Sequence, residues 1–288
     1  MDGFVVVDKP AGITSHDAVA AIRRSLRTKR VGHGGTLDPL ATGVLVIAVG
    51  KATRLLSYLV LEPKRYAFRM VFGVTTETQD AEGRVVQEKD ASVLTQEAVE
   101  HVLSAFRGEI QQAPPMYSAV HHEGKRLYEM ARRGMEVERQ PRTVTIHSLT
   151  LDAFEPGPRA TADLTCACSS GTYVRTLCHD IGAALGVGAY LASLMRTACG
   201  SFDIADAVPL DEITEATPLV PCRDALSHLD ALIPAPAGLV SILHGNPVRP
   251  SRPPQSKHVC ILNERKEMVA LAEFRASKLH PLVVLAQE

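Results

Sequence analysis

Eight residues, Gly43 to Gly50 (GVLVIAVG), form an apolar run with no polar position in it. A run this short, rich in valine and bounded by glycine, suits a strand buried on both faces. Such a strand needs a layer of structure on each side, which points to a mixed α/β chain. The residues ahead of it, VGHGGTLDPLAT from Val31 to Thr42, are glycines and small side chains around one carboxylate. Asp38 is the only acid between positions 31 and 50. Pro39 keeps Asp38 out of the α region, so the acid sits where the chain turns into the strand. Gly34, Gly35, Thr36, Ala41, Thr42 and Gly43 let another molecule come close to that backbone. A carboxylate so placed fits a nucleophile, a base or a metal ligand, and equally a common Asp-Pro turn.

The 288 residues can bury one large domain and a small one. No apolar run approaches the roughly 20 residues that span a bilayer. The opening MDGFVVVDKPAG carries an acid at its second position and no basic n-region, so it reads as a first strand and the expected location is the cytoplasm. The six cysteines, at 166, 168, 178, 199, 222 and 260, lack the paired spacing of a zinc site and read as buried thiols. No metal site is expected: His33 lies near Asp38, but no second His, Asp or Glu has ligand spacing. The net charge of −1 is unevenly spread. Residues 1–150 hold 20 Lys and Arg against 17 Asp and Glu, whereas residues 201–250 hold 2 against 7. RRSLRTKR, Arg23 to Arg30, is the densest basic cluster and fits either a solvated helix end or a phosphate-contacting patch.

Along the chain, VVVDK reads as a strand and the residues after Gly12 as a helix capped by Thr14 or Ser15, with Ala18, Val19, Ile22 and Leu26 on its apolar face. KATRLLSYLV looks helical, KRYAFRMVFGVTT alternates like a strand, and TQEAVEHVLSAFRG is a helix with Gly108 past its end. Residues 114–142, bracketed by prolines, read as an insertion whose short helix carries Lys125, Arg126, Arg132 and Arg133. RTVTIHSLTLDAF and ADLTCACSS resume the strand pattern, and TYVRTLCHDIGAALG is a helix ended by Gly186. LIPAPAG reads as a Pro-rich linker. The expected architecture is a mixed α/β catalytic body over 1–205, a helical and Pro-rich connector over 206–235, and a small β-rich module over 236–288.

VGHGGTLDPLATGVLVIAVGKATRLLSYL resembles the signature of the TruB family of tRNA pseudouridine synthases. GFVVVDKPAGITSHDAV, KRYAFRMVFGVTTETQDAEG, PPMYSAVHHEGKRLYEMARRG and SSGTYVRTLCHDIGAALGVGAYLASLMRT are similar to four further family motifs, in the family's order, across most of residues 3–205. HGNPVR and the strands after it resemble the family's C-terminal module more weakly. The resemblance implies the pseudouridine synthase fold, a mixed and largely antiparallel sheet flanked by helices, with a PUA-like module appended. It implies isomerisation of a uridine in the tRNA T loop, at position 55, without cofactor or metal. By that resemblance Asp38 is the catalytic nucleophile, Arg175 its ion-pair partner, and Tyr66 the residue that stacks on the target base and acts as, or near, the proton-accepting base. Leu194 lines the pocket. His33 wedges into the space left by a flipped-out base, a step costing a few kcal/mol of unstacking. Gly35 and Thr36 belong to the substrate-binding loop. Lys9, Lys64 and the basic residues of the helix end and the insertion are expected phosphate contacts.

SSG at 169–171 stands where relatives commonly have Ser-Lys-Gly, which removes one positive charge near the RNA. The tRNA T stem-loop is the expected partner, with no protein partner required, no membrane, and a monomeric state. The nearest enzyme alternative is a guide-RNA-dependent relative of the dyskerin type, from which the insertion at 114–142 argues away; a tRNA-folding chaperone differs in kind; and a hydrolase using Asp38 would need a water-activating partner that the sequence does not show.

Overall fold

The computed structural model describes residues 2–118, 121–122, 125–127, 130, 134–135 and 137–285. Strand β1 (Gly3–Lys9) leads through a turn into helix α1 (Ser15–Ser25). Thr14 caps that helix in a capping box with Asp17, which satisfies two orphan amides and contributes about 1 kcal/mol. Then come β2 (Val31–His33), β3 (Thr42–Val49), β4 (Lys64–Phe72), and the short pair β5 (Val74–Thr76) and β6 (Val85–Glu88). Helix α2 (Gln96–Leu103) is capped by Thr95 and precedes β7 (Gly108–Gln112). Beyond the insertion lie β10 (Arg142–Glu155), β11 (Thr161–Cys168), helix α3 (Val174–Ala184) and β12 (Ala189–Cys199).

These strands build a ten-stranded sheet with the main order β14-β1-β3-β12-β4-β11-β10-β7, where β14 is Val208–Pro209, and with β2 and β13 (Phe202–Asp203) paired at its sides. Only the β1–β14 and β3–β12 pairings are parallel, so the sheet is mixed and largely antiparallel. β3 lies inside it with every residue after Thr42 buried, as an uninterrupted apolar run requires. Leu45 and Ile47 pack on the face covered by α1 and α3, and each such side chain stabilises the fold by about 1.5–3 kcal/mol. Val44, Val46 and Ala48 point to the opposite face. α3 comes so close to the start of β12 that a Cβ on Gly182 would lie 2.3 Å from the Ala189 nitrogen.

The C-terminal strands β15 (Asp230–Leu232), β16 (His258–Leu262), β17 (Met268–Arg275) and β18 (Lys278–Val284) form a second sheet, with a helix over Pro236–Leu243. Cys260, Leu262, Leu271, Val283 and Leu285 share one apolar cluster with Phe4, Val44 and Val46 of the large sheet. Among the described residues, no helix is long and apolar enough to cross a membrane.

Three local readings change. KATRLLSY is helical but winds as a 3₁₀ helix over Gly50–Tyr58. LIPAPAG is not a linker: Leu232 ends β15, and Pro236 opens a helix, where its missing N–H costs nothing. Lys125 and Arg126 lie on a two-residue strand, β9 (Lys125–Arg126), paired with β8 (His121–His122), rather than on a helix. Arg132 and Arg133 lie outside the described residues.

Candidate active site

The Asp38 turn is gripped by side chains from three elements. Ser15, the first residue of α1, accepts a hydrogen bond from the Leu37 amide at 2.8 Å and donates one to the Leu37 carbonyl at 3.0 Å. From β1, the Lys9 ammonium donates to the carbonyls of Pro10 and Ile13 at 2.8 Å and of Pro39 at 3.3 Å. From β12, the Arg196 guanidinium reaches the carbonyls of Val44, Thr36 and Gly35 at 2.8, 3.3 and 3.2 Å. The Gly12 amide donates to the Pro39 carbonyl, which closes the turn from the other side.

Arg175, in the first turn of α3, holds the acid at the tip. Its Nε lies 2.9 Å from Asp38 Oδ2, and its Nη1 lies 3.3 Å from Asp80 Oδ2. The same guanidinium donates to the carbonyls of Thr78 and Tyr117 at 3.2 and 3.0 Å. The Arg175 and Asp80 side chains are each 5% exposed, against 37% for Asp38. One cation therefore joins a buried carboxylate to an accessible one. Asp80 is itself fixed, accepting from the Thr78 hydroxyl and, at 3.1 Å, from the Glu82 amide. This arrangement sets a buried cation against Asp38 and still displays the carboxylate to a reactant.

Tyr66 lies on β4 between Cys166 of β11 and Arg196 of β12 in the strand register. It is 7% exposed, and burial pushes its phenol well above the usual tyrosine range, with the Arg196 cation opposing. Its link to Asp38 runs through Arg196 and the Gly35–Thr36 carbonyls. Leu194 packs beside Phe68 at the edge of a cleft of about 690 Å³ that Leu40, Gly12, Glu82 and Met195 also line. His33 ends β2, takes the Gly35 amide on Nδ1 at 3.3 Å, and meets the His16 ring edge-on at 5.5 Å. Burial, then His16 and Arg196, hold its imidazole below the ordinary histidine range. Lys64 is half-buried, its ammonium pushed down first by burial and then by Arg196.

The structure corrects the expectation for Lys9. Its side chain is wholly buried and its ammonium is already taken by three carbonyls, so it is a brace for the Asp38 turn and not a phosphate contact. In the Arg23–Arg30 cluster, Arg23 holds the Val31 carbonyl and Arg27 pairs with Glu215 at 2.9 Å, which leaves Arg24, Lys29 and Arg30 as exposed cations. Sequence reading missed Asp80 and Arg196. The signal for Arg196 was an arginine on the inward parity of an apolar strand. Asp80 carried none, because its partner lies 95 positions away. Among the described residues, no group of three His, Cys, Asp or Glu side chains is placed to hold a metal ion.

Residues 23–174 match the TruB family pseudouridylate synthase N-terminal domain, and residues 175–235 match the tRNA pseudouridylate synthase B C-terminal domain. The chain belongs to the TruB family. It is 49% identical over 246 residues to tRNA pseudouridine synthase B of Symbiobacterium thermophilum, covering 85% of this chain and 82% of that one. It is 44% identical over 291 residues to the protein of that name in Gloeobacter violaceus, covering 99% of both chains. Among solved structures it is similar to the protein in an H/ACA RNP bound to a substrate RNA containing 2′-deoxyuridine, with a TM-score of 0.70 at 25% identity, covering 99% of this chain and 85% of that one. A Cbf5-Nop10-Gar1 complex matches with a TM-score of 0.66 at 28% identity, covering 98% and 83%. The fold of this TruB-family chain is thus that of pseudouridine synthases. Its sequence stands nearer to the tRNA enzymes than to the proteins of those assemblies.

Proposed function

We propose that this protein converts uridine 55 in the T loop of tRNA to pseudouridine, with Asp38 as nucleophile. The observation that carries the reading is the ion pair of Asp38 with the buried Arg175, which leaves the carboxylate accessible. The N1–C1′ bond breaks, the uracil turns, and a C5–C1′ bond forms. The C5 proton leaves and N1 gains one, so the product is an isomer and no cofactor is consumed. Asp38 is the only charged group offered at the tip of the turn, which suits attack on the base or on the sugar.

Tyr66 stacks on the target base, a contact worth about 1–3 kcal/mol. Burial favours its neutral phenol, whereas the Arg196 cation beside it favours the phenolate, so Arg196 is the group that eases release of the phenol proton and lets this oxygen act as, or near, the base that takes the C5 proton. His33, neutral and flat, fills the gap left by the flipped base. Leu194 lines the pocket, Gly35 and Thr36 pass the substrate close to the backbone, and Lys64 meets phosphate. The C-terminal sheet acts as a PUA-like RNA-binding module behind a catalytic body over 1–205, and it begins at β15 rather than at 236, because Asp230–Leu232 pairs with β16. The protein works in the cytoplasm as a monomer, without guide RNA or protein partner. Asp38→Asn should abolish isomerisation and leave tRNA binding nearly unchanged. Binding lost in step with activity would contradict the assignment.

A further inference from the structure

Arg196 is the second buried guanidinium near the Asp38 turn, and its surroundings differ from those of Arg175. It is 1% exposed and, among the described residues, forms no ion pair. Its charge is met by three carbonyls from two chain segments, Val44 on β3 and Gly35 and Thr36 in the turn. Instead of an acid, a second cation stands nearby: a Cβ placed on Gly35 would be 3.9 Å from both Arg196 Nη1 and Lys64 Nζ. A buried charge without a counter-ion is a poor choice for stability alone, since an apolar side chain of similar volume usually serves as well or better. What guanidinium alone offers is a rigid planar fork of five donors, which can hold several acceptors in fixed relation.

The backbone at this point is as constrained as the side chain. Arg196 stands opposite Tyr66 on one side and Gly43 on the other. Gly43 has φ +94°, and a Cβ there would lie 2.3 Å from the Arg196 carbonyl oxygen. The Gly35 peptide sits between two site residues, its carbonyl held by Arg196 and its amide donated to His33 Nδ1. Displacement of Arg196 therefore moves the Asp38 turn and the His33 ring relative to the strand that carries Tyr66.

We propose that Arg196 is a positioning residue for the isomerisation: its fork holds the Gly35–Thr36 carbonyls, and with them Asp38 and His33, in register with Tyr66. This rests on the reading of Asp38 and Tyr66 as the reacting pair. Arg196 does not touch the substrate. It fixes the distance between groups that do, where errors of an ångström are costly to rate.

The test uses full-length Arg196→Lys and Arg196→Gln, with single-turnover isomerisation at saturating tRNA measured beside the tRNA dissociation constant and the unfolding transition. Arg196→Gln should lose about 100-fold in the single-turnover rate, and Arg196→Lys about 10-fold, with affinity held within about 3-fold. A folded variant of unchanged rate would overturn the proposal, as would equal losses in rate and affinity. If the Gln variant does not fold, the Lys variant decides, because it keeps charge and length and loses only the fork. Asp38→Asn in the same assay separates the two claims. An active Asp38→Asn would remove the reading beneath the proposal. A dead Asp38→Asn beside a native-rate Arg196→Lys would remove the proposal alone.

Discussion

Arg175 Nε lies 2.9 Å from Asp38 Oδ2, yet its N–H is not aimed for a hydrogen bond and finds no other acceptor. The contact is an ion pair that restrains the acid by charge. The cation is fixed by its other partners, Asp80 and the carbonyls of Thr78 and Tyr117. Asp38 is held in place while its oxygens stay available.

Asp80→Asn removes the buried half of this network. Arg175 keeps Asp38 and the two carbonyls but loses the anion that fixes its far end. The single-turnover rate should fall by about 10–100-fold, as for loss of a group that orients another. Stability should fall by about 1–3 kcal/mol, read by chemical denaturation. Arg175→Met should be worse, at about 3–5 kcal/mol, because it leaves the Asp80 carboxylate buried and unpaired.

Ser15→Ala tests the hold on the turn from α1. Two hydrogen bonds to the Leu37 peptide disappear at a buried position. The expected loss is about 1–3 kcal/mol. A transition midpoint unchanged from the parent would show that the turn keeps its shape without Ser15.

The His33 ring carries a pH signature. Burial, His16 and Arg196 lower its folded pKa, so the unfolded chain takes up this proton at a higher pH than the folded one. Between the two values the unfolded state binds more protons, and stability therefore falls as the pH drops through that window. The penalty is absent above the ordinary histidine pKa and complete below the folded one. His33→Gln should flatten the decline in thermal midpoint between about pH 7 and pH 5 relative to the parent. Parallel curves would contradict the shift.

The C-terminal sheet shares a core with the catalytic sheet, so its removal is not neutral. Truncation after residue 229 uncovers Phe4, Val44 and Val46 where Cys260, Leu262, Leu271 and Val283 now pack. A lower unfolding transition and aggregation at low concentration are expected from so much exposed apolar surface. A truncated chain as stable as the full one would show that the two sheets fold independently.

Much of this was legible in the chain. The apolar run from Gly43 identified the buried strand, Thr14 or Ser15 marked a helix start, and the alternation in ADLTCACSS put Cys166 and Cys168 on one face. Asp38 stood out because it was the one acid among small residues. What stayed hidden depends on long-range meeting. Arg175 and Asp80 come together across 95 positions, and Arg196 spans two segments whose carbonyls carry no side-chain signal. Lys9 read as a surface cation because nothing local reveals that three carbonyls converge on its ammonium. LIPAPAG read as a linker because proline at a helix N1 position and proline in a loop look alike in sequence.

If Asp38 drives isomerisation of one T-loop uridine, as proposed, each conversion frees the C5 hydrogen of that base to water, where tritium counts it. An unmodified tRNA transcript carrying 5-tritiated uridine is incubated with the parent protein, with Asp38→Asn, and in a version whose uridine 55 is replaced by cytidine. One equivalent of tritium per tRNA is expected with the parent protein, and none with Asp38→Asn or with the replaced substrate. Tight tRNA binding without release, or release that survives either change, would contradict this expectation.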